Sequence, residues 1–276
     1  MSNDAYFKDK VCVITGAGSG IGRALAENLA RRGARLALSD IDVEGLAETV
    51  RRCERYGVQV KSDRLNVAER EAVLHYADEV KKHFGKVNQI YNNAGIAHHG
   101  DVLDTQFKDI ERIMDVDFWG VVNGTKAFLP FLIESGEGHV VNISSLFGLI
   151  AVPGQSAYNA AKFAVRGFTE ALRQEMLMAG TPVEVTCVHP GGIKTAVARS
   201  ATVAEGLNQT NLAALFDSKL ALHTPEMAAQ TITEAVRKGH GRVLIGWEAK
   251  VLDLFVRTTA SYYQRISAAV QKRFLP

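Results

Sequence analysis

Short runs of β-branched and aliphatic residues alternate along this chain with longer stretches whose apolar side chains recur at helical spacing. That alternation restricts the fold more than any other feature. Lys10 to Thr15 reads as a strand, and Ile21 to Arg32 as a helix with Ile21, Leu25 and Leu29 along one face. Further strands are expected at Arg35 to Ser39, Val58 to Lys61, Val87 to Tyr91, His139 to Ile143, Val183 to Val188 and Arg242 to Ile245. Helices fall between them at Val43 to Tyr56, Glu69 to Phe84, Asp109 to Ile133, Ser156 to Met178 and Pro225 to Lys238. Strands separated in this way predict an α/β fold, a doubly wound parallel sheet of about seven strands with helices on both faces. No internal repeat or linker interrupts the pattern. Residues 1–248 are therefore expected to form one domain containing a long connection at 195–224, followed by an extension at 249–276.

The 276 residues are 47% apolar and 22% charged, which suffices for one sizeable core. Lys and Arg number 32 against 30 Asp and Glu, so the chain carries no general field for nucleic acid, and no such partner is expected. The polar stretch Met1 to Lys10 runs directly into a strand, which predicts no signal peptide. No segment approaches the roughly 18 uninterrupted apolar residues of a membrane span. Cys12, Cys53 and Cys187 are odd in number and widely spaced, as reduced thiols of a cytoplasmic protein are.

Two motifs carry chemistry. Thr15-Gly16-Ala17-Gly18-Ser19-Gly20-Ile21-Gly22 joins the first strand to the first helix, where backbone amides and a helix N-terminus can hold a pyrophosphate. Asp40, 18 residues beyond Gly22 at the end of the second strand, is suited to ribose hydroxyls and would repel a 2′-phosphate. Ser19 and Ile41 put no basic residue at the positions that would pair such a phosphate, so NAD is expected rather than NADP. The second motif is Tyr158 with Lys162, at i and i+4 on one helix face. An isolated phenol titrates near ~10, and a neighbouring ammonium favours its phenolate, making the pair a proton-transfer device.

With these motifs the chain resembles the short-chain dehydrogenase/reductase family over residues 8 to about 246. Asn92-Asn93-Ala94-Gly95 matches the segment that follows the fourth strand of that family, and Ser145, 13 residues before Tyr158, matches its catalytic serine. Pro190-Gly191-Gly192-Ile193-Lys194-Thr195 resembles the stretch that lies against the nicotinamide. The resemblance implies a Rossmann-like fold and hydride transfer between a nicotinamide and a carbonyl or carbinol carbon. Tyr158 would exchange the proton, Ser145 would orient the substrate oxygen, and Lys162 would tune Tyr158 and hold the nicotinamide ribose. Gly16, Ser19, Gly20, Ile21, Gly22, Asp40, Asn66, Asn93, Ala94, Gly95, Pro190, Gly191, Ile193 and Thr195 are the implied cofactor contacts. The chain departs from the family at Asp117, where an asparagine usually supports a proton relay. Asp117 could hold a relay water or pair with Lys162. It departs again at Asn66, where an aspartate usually stands near the adenine; Asp63 takes that place if the register slips.

The connection at 195–224 is rich in Leu and Ala, consistent with a lid over an apolar secondary alcohol or ketone, or with core and subunit contacts. On a wheel of about 100° per residue the extension sets Lys250, Arg257, Arg265 and Lys272 opposite Leu252, Phe255, Tyr262, Ile266 and Val270. A basic amphipathic helix of this kind could lie on an anionic membrane, cap the cleft or pack between subunits. A homo-oligomer, dimer or tetramer, is implied by the resemblance. Adjacent His98 and His99 lack a carboxylate or cysteine at ligand spacing, so no metal is expected. Two other classes share features with the chain, a dinucleotide-binding redox sensor without turnover and a sugar-nucleotide epimerase.

Overall fold

The computed structural model describes residues 5–215 and 221–274. In chain order its elements are β1 (Val11–Thr15), α1 (Gly20–Arg31), β2 (Arg35–Asp40), α2 (Val43–Glu54), β3 (Val60–Arg64), α3 (Arg70–Phe84), β4 (Gln89–Asn92) and β5 (His98–His99). Then come α4 (Phe107–Met114), a π-helical turn at Asp115–Trp119, α5 (Gly120–Glu134), β6 (Gly138–Ile143), a 3-10 turn at Leu146–Gly148, α6 (Ser156–Ala179) and β7 (Val183–Pro190). The remainder is α7 (Ala196–Arg199), β8 (Thr202–Val203), α8 (Gln209–Leu215), α9 (Pro225–Arg237), β9 (Arg242–Ile245), α10 (Trp247–Thr259) and α11 (Tyr263–Phe274).

Seven strands pair in the order β3-β2-β1-β4-β6-β7-β9, every pair parallel. A strand covered on both faces must be apolar on both, and β1 is: Cys12 and Ile14 pack into one core, Val11 and Val13 into the other. The first core lies under α1 and α9, the second under α3, α5 and α6. Chain order reverses at β1, whose neighbours are β2 and β4, so the crevice past the carboxyl ends of these strands is the place where such folds bind ligands.

Two boundaries differ informatively from the expectation. The edge strand β3 runs Val60–Arg64, not Val58 to Lys61, because its pairing sets Val60 against Leu36 and Arg64 against Asp40. An edge strand with one exposed side needs no continuous apolar run, so its polar half was hidden. The extension is helical as expected, but Ala260 adopts φ 46° and a 3-10 turn at Ala260–Tyr262 separates α10 from α11. Of the expected apolar stripe only Tyr262 leaves the face; Leu252, Phe255, Ile266 and Val270 stay on one side. Tyr263 is buried, whereas Tyr262 is 59% exposed. No helix among the described residues is long and apolar enough to cross a membrane.

The three cysteines are buried thiols, and burial pushes those of Cys53 and Cys187 up to about 12. They are inert packing groups.

Candidate active site

The glycine turn is fastened from two sides. Thr15 Oγ1 accepts from the backbone N–H groups of Asn93 (3.0 Å) and Ala94 (3.1 Å), and Asn93 Nδ2 donates to the carbonyls of Thr15 (3.0 Å) and Gly16 (3.1 Å). A Cβ on Gly16 would stand 2.7 Å from Ala94 Cα, and one on Gly22 would strike the Gly16 carbonyl oxygen. Gly16 and Gly20 also have φ of 65° and 51°, where side chains are disfavoured. Asp40 Oδ2 accepts from the Gly18 N–H (2.7 Å) and Oδ1 from that of Asp42 (2.9 Å), placing the carboxylate at the rim of the turn. Arg23 donates to the carbonyls of Gly18 and Gly45 and to Thr49. Ser19 caps α1 by position without a side-chain bond, leaving its hydroxyl on the cleft.

Asn66 lines the cleft with its donor and acceptor committed locally, Nδ2 to Glu69 Oε1 (3.0 Å) and Oδ1 from Ala68 N (3.2 Å). Asp63 instead binds Lys61 at 2.6 Å. The register is thus the one that puts Asn66 at the cleft.

Ser145 follows β6, its hydroxyl accepts from Phe147 N (3.1 Å), and it lines the cavity together with Tyr158. The alternation along the strand holds: Ser144 points the other way and donates to the Lys162 carbonyl (2.8 Å). Lys162 Nζ lies 5.5 Å from the Tyr158 ring centre, 3.1 Å from Asp117 Oδ2 and 3.3 Å from the Ile143 carbonyl oxygen. The Asp117 side chain is fully buried, and its Oδ1 accepts from Ile96 N at 2.8 Å. Of the two expectations for Asp117, the structure forms the ion pair.

That pair changes the electrostatics of the tyrosine. Burial, the largest influence, raises the Tyr158 phenol above its ordinary value; Lys162 and the Ser145 hydroxyl pull it down, and Asp117 pushes it up again. The acidifying lysine sits where the sequence puts it, but burial outweighs it, so the phenol is not acidified on balance. Burial alone would depress Lys162; Asp117 and Tyr158 more than offset this and hold the ammonium above its ordinary value. Burial raises Asp117, against the pull of Lys162 and of the Ile96 N–H.

Several supporting residues carry no signature in the sequence. Asn159 Nδ2 donates to the carbonyls of Phe147 (2.9 Å) and Ile150 (3.2 Å), and its Oδ1 accepts from Val152 N (3.1 Å), so it shapes the loop after Ser145. His189 bonds the Ser145 carbonyl through Nδ1 (3.0 Å). Glu248, in the first turn of α10, accepts from Gly192 N (3.3 Å) and pairs with His223 Nε2 (2.8 Å). It thereby ties the extension to Pro190–Thr195 and to the end of the long connection. His98 bonds Thr202 and His99 bonds Gln155. Among the described residues, no group of three His, Cys, Asp or Glu side chains could hold a metal ion.

One cavity of about 1270 Å³ joins all of this. Gly16, Ser19, Gly20, Ile21, Asp40 and Asn66 line one part of it, and Asn93 to Gly95, Asp117, Ser145, Tyr158 and Lys162 line another. Pro190, Gly191, Ile193 and Thr195 close it from β7, and Gly22 lies behind the turn with no face on the cavity. Phe216 and Leu220 of the expected lid lie outside the described residues.

The sequence profile described as short chain dehydrogenase matches residues 10–206. A Mycobacterium tuberculosis protein named as the oxidoreductase SadH is 69% identical over 270 residues, 98% of each chain. Dehydrogenase/reductase SDR family member 7B of Xenopus tropicalis is 35% identical over 268 residues, 94% of this chain and 84% of that one. A crystal structure of a short chain dehydrogenase/reductase from Burkholderia phymatum in complex with NAD superposes with a TM-score of 0.86 at 28% identity, covering 94% of this chain and 96% of that one. A parallel sheet in this order, a glycine turn sewn to Asn93, and a serine, tyrosine and lysine at one crevice agree with those likenesses: the chain belongs to the short-chain dehydrogenase/reductase family.

Proposed function

We propose that this oxidoreductase is NAD-dependent and interconverts an apolar secondary alcohol and its ketone. The observation that carries the reading is the cluster of half-buried Ser145 and Tyr158 with buried Lys162, in the same cavity as the glycine turn. The residues present fit a dinucleotide. A Cβ would fill the cradle at Gly16, and Asp40, with two bonds made, has acceptor capacity left for ribose hydroxyls. Asp40 and the commitment of Arg23 to backbone carbonyls favour NAD over NADP, as does the NAD held by the Burkholderia phymatum protein.

A dinucleotide held by the glycine turn and Asp40 would supply the hydride, so that in reduction the C=O π bond would be replaced by one C–H and one O–H bond while the dinucleotide is oxidised. Tyr158 supplies the proton on oxygen, and takes it back in oxidation. Ser145 fixes the substrate oxygen beside the phenol. Lys162 contributes positive charge next to the phenol and reaches toward the ribose. Asp117 acts through Lys162 as a positioning residue. Replacing Tyr158 by Phe tests the assignment: NAD binding persists while turnover falls about 10²- to 10⁴-fold. Turnover equal to wild type overturns the proton role, and lost NAD binding overturns the separation of the two parts of the cavity.

Exposed Phe107, Trp119 and Phe163, on or beside α4, α5 and α6, support a homo-oligomer, readable as native mass. Exposed Trp247, Val251 and Leu254 with Lys250 on the outer side of α10 support peripheral contact with an anionic membrane, readable by liposome sedimentation.

A further inference from the structure

The cavity does not end at the catalytic cluster. Past Ser145 and Tyr158 it continues between the loop that follows β6 and the two helices of the extension. Phe147 and Ile150 line one side, Leu252 and Phe255 of α10 and Ile266 and Val270 of α11 the other. The extension is fixed there. Tyr263 is buried with Leu146, Leu149, Ile150 and Ala249, and its hydroxyl accepts from Ala151 N at 3.3 Å. Asp253 of α10 pairs with Arg242 of β9 at 2.7 Å, and Glu248 is taken up by Gly192 and His223. These contacts bind α10 and α11 to the stretch that follows Ser145.

The lining sets the chemistry of the occupant. Among the described residues no charged side chain of α11 lines the cavity, where its polar group is Ser267, and the one charged residue of α10 there, Glu248, is already paired. A charged substituent entering this arm would lose water without finding an opposite charge. An alkyl chain gains burial at every methylene. Exposure rises along the arm, from half-buried Leu252 and Phe255 to Ile266 at 39% and Val270 at 48%, so the arm opens outward at α11.

Resting on the proposed alcohol and ketone chemistry, we infer that α10 and α11 form the wall of an alkyl-chain subsite and that the substrate is a secondary alcohol or ketone bearing a long unbranched aliphatic chain. The carbonyl sits at Ser145 and Tyr158, and the chain runs past Phe147 and Phe255 toward Ile266 and Val270.

The test uses the full chain with NADH and a series of methyl n-alkyl ketones from butanone to tridecanone. Selectivity, kcat/KM, is expected to rise about fourfold per methylene until the arm is filled, the gain of burying one CH₂. Ile266→Trp narrows the open end at a position that tolerates bulk, and the tridecanone-to-butanone ratio of kcat/KM should fall at least tenfold, through KM. Val270→Trp is the second variant should the first be poorly folded. A flat chain-length series, or a ratio unmoved by both substitutions, overturns the subsite while leaving the oxidoreductase assignment standing. Absence of turnover with every ketone, with reduced and oxidised cofactors of both kinds and the matching alcohols, overturns both.

Discussion

Replacing Asp117 by Asn should move the alkaline end of activity to lower pH, by an amount the geometry fixes. Adding the 3.1 Å between Asp117 Oδ2 and Lys162 Nζ to the 5.5 Å between Nζ and the Tyr158 ring centre puts the carboxylate at most about 8.6 Å from that centre. Two unit charges at that separation, in an effective dielectric of about 20, interact by about 2 kcal/mol, which corresponds to about 1.4 pKa units. The sign follows from Asp117 being one of the influences that raise the phenol. Removing the carboxylate while keeping an amide oxygen to accept from Ile96 N stabilises the phenolate. Because Asn also releases Lys162 from its ion pair, part of the gain is lost, and about one unit is the expected net. The assay is kcat/KM for alcohol oxidation against pH at saturating NAD, which reports groups of the enzyme before the alcohol binds. Oxidation needs the phenolate as base, so the variant should reach its plateau about one pH unit earlier than wild type. An unmoved limb would mean that Asp117 is neutral or fully screened. A limb moved upward would mean that its service in holding Lys162 charged outweighs its repulsion of the phenolate. Either result refutes the argument.

The remaining predictions concern the turn and acid stability. Gly22→Ala places a methyl group against the Gly16 carbonyl and within 2.6 Å of Asn93 Nδ2, overpacking that costs about 1–3 kcal/mol. NADH titration should show at least about tenfold weaker binding with a lowered Tm, and unchanged affinity would mean that the turn is not the cradle. Burial holds His139 down to about 3 and His189 down to about 4, both below the ordinary 6.5. Their folded values are depressed, so the unfolded chain binds more protons at acid pH; the stability is complete above pH 6.5 and is lost as pH falls toward the folded values. At pH 5 the loss is about 2 kcal/mol for each. Urea unfolding at pH 7 and pH 5 should show His139→Gln, which can keep a bond to Thr186, losing less between the two than wild type; an equal loss would refute the linkage.

What the sequence disclosed depended on how local the signal was. The strand, glycine turn and helix of β1 and α1 lie within about twenty consecutive residues, and Tyr158 and Lys162 share a helix face, so spacing alone located both parts of the cavity. Asp117 was recognisable as a departure, but whether it would hold a water or the lysine depended on how the π turn at Asp115–Trp119 packs on α6, which no local pattern encodes. Asn159 sits beside Tyr158 in sequence and was invisible because its partners are backbone groups of a loop with no periodicity. Polar β3 was misplaced for the reason edge strands generally are, since its pairing with β2 and not its hydropathy decides where it runs.

The extension presents two apolar faces that support different roles. A continuous wheel over 249–274 sets Tyr262 with Leu252 and Phe255 and offers one broad apolar face that could meet a membrane, a subunit or the cleft. The positive φ of Ala260 breaks the helix there, yet Ile266 and Val270 keep the face of Leu252 and Phe255, and of the expected stripe only Tyr262 leaves it. Tyr263 then turns inward onto the loop after Ser145, and Ile266 and Val270 follow it onto the cavity, while Trp247, Val251 and Leu254 keep the outer side. The extension thus carries two apolar faces, an inner one lining the site and an outer one exposed on α10. Truncation at residue 248 removes both at once and would confuse substrate capture with surface attachment. Substituting Leu254 alone leaves the inner wall in place, so a loss of liposome binding without a change in chain-length preference would separate the two roles. A parallel loss of both would mean that the two faces act as one.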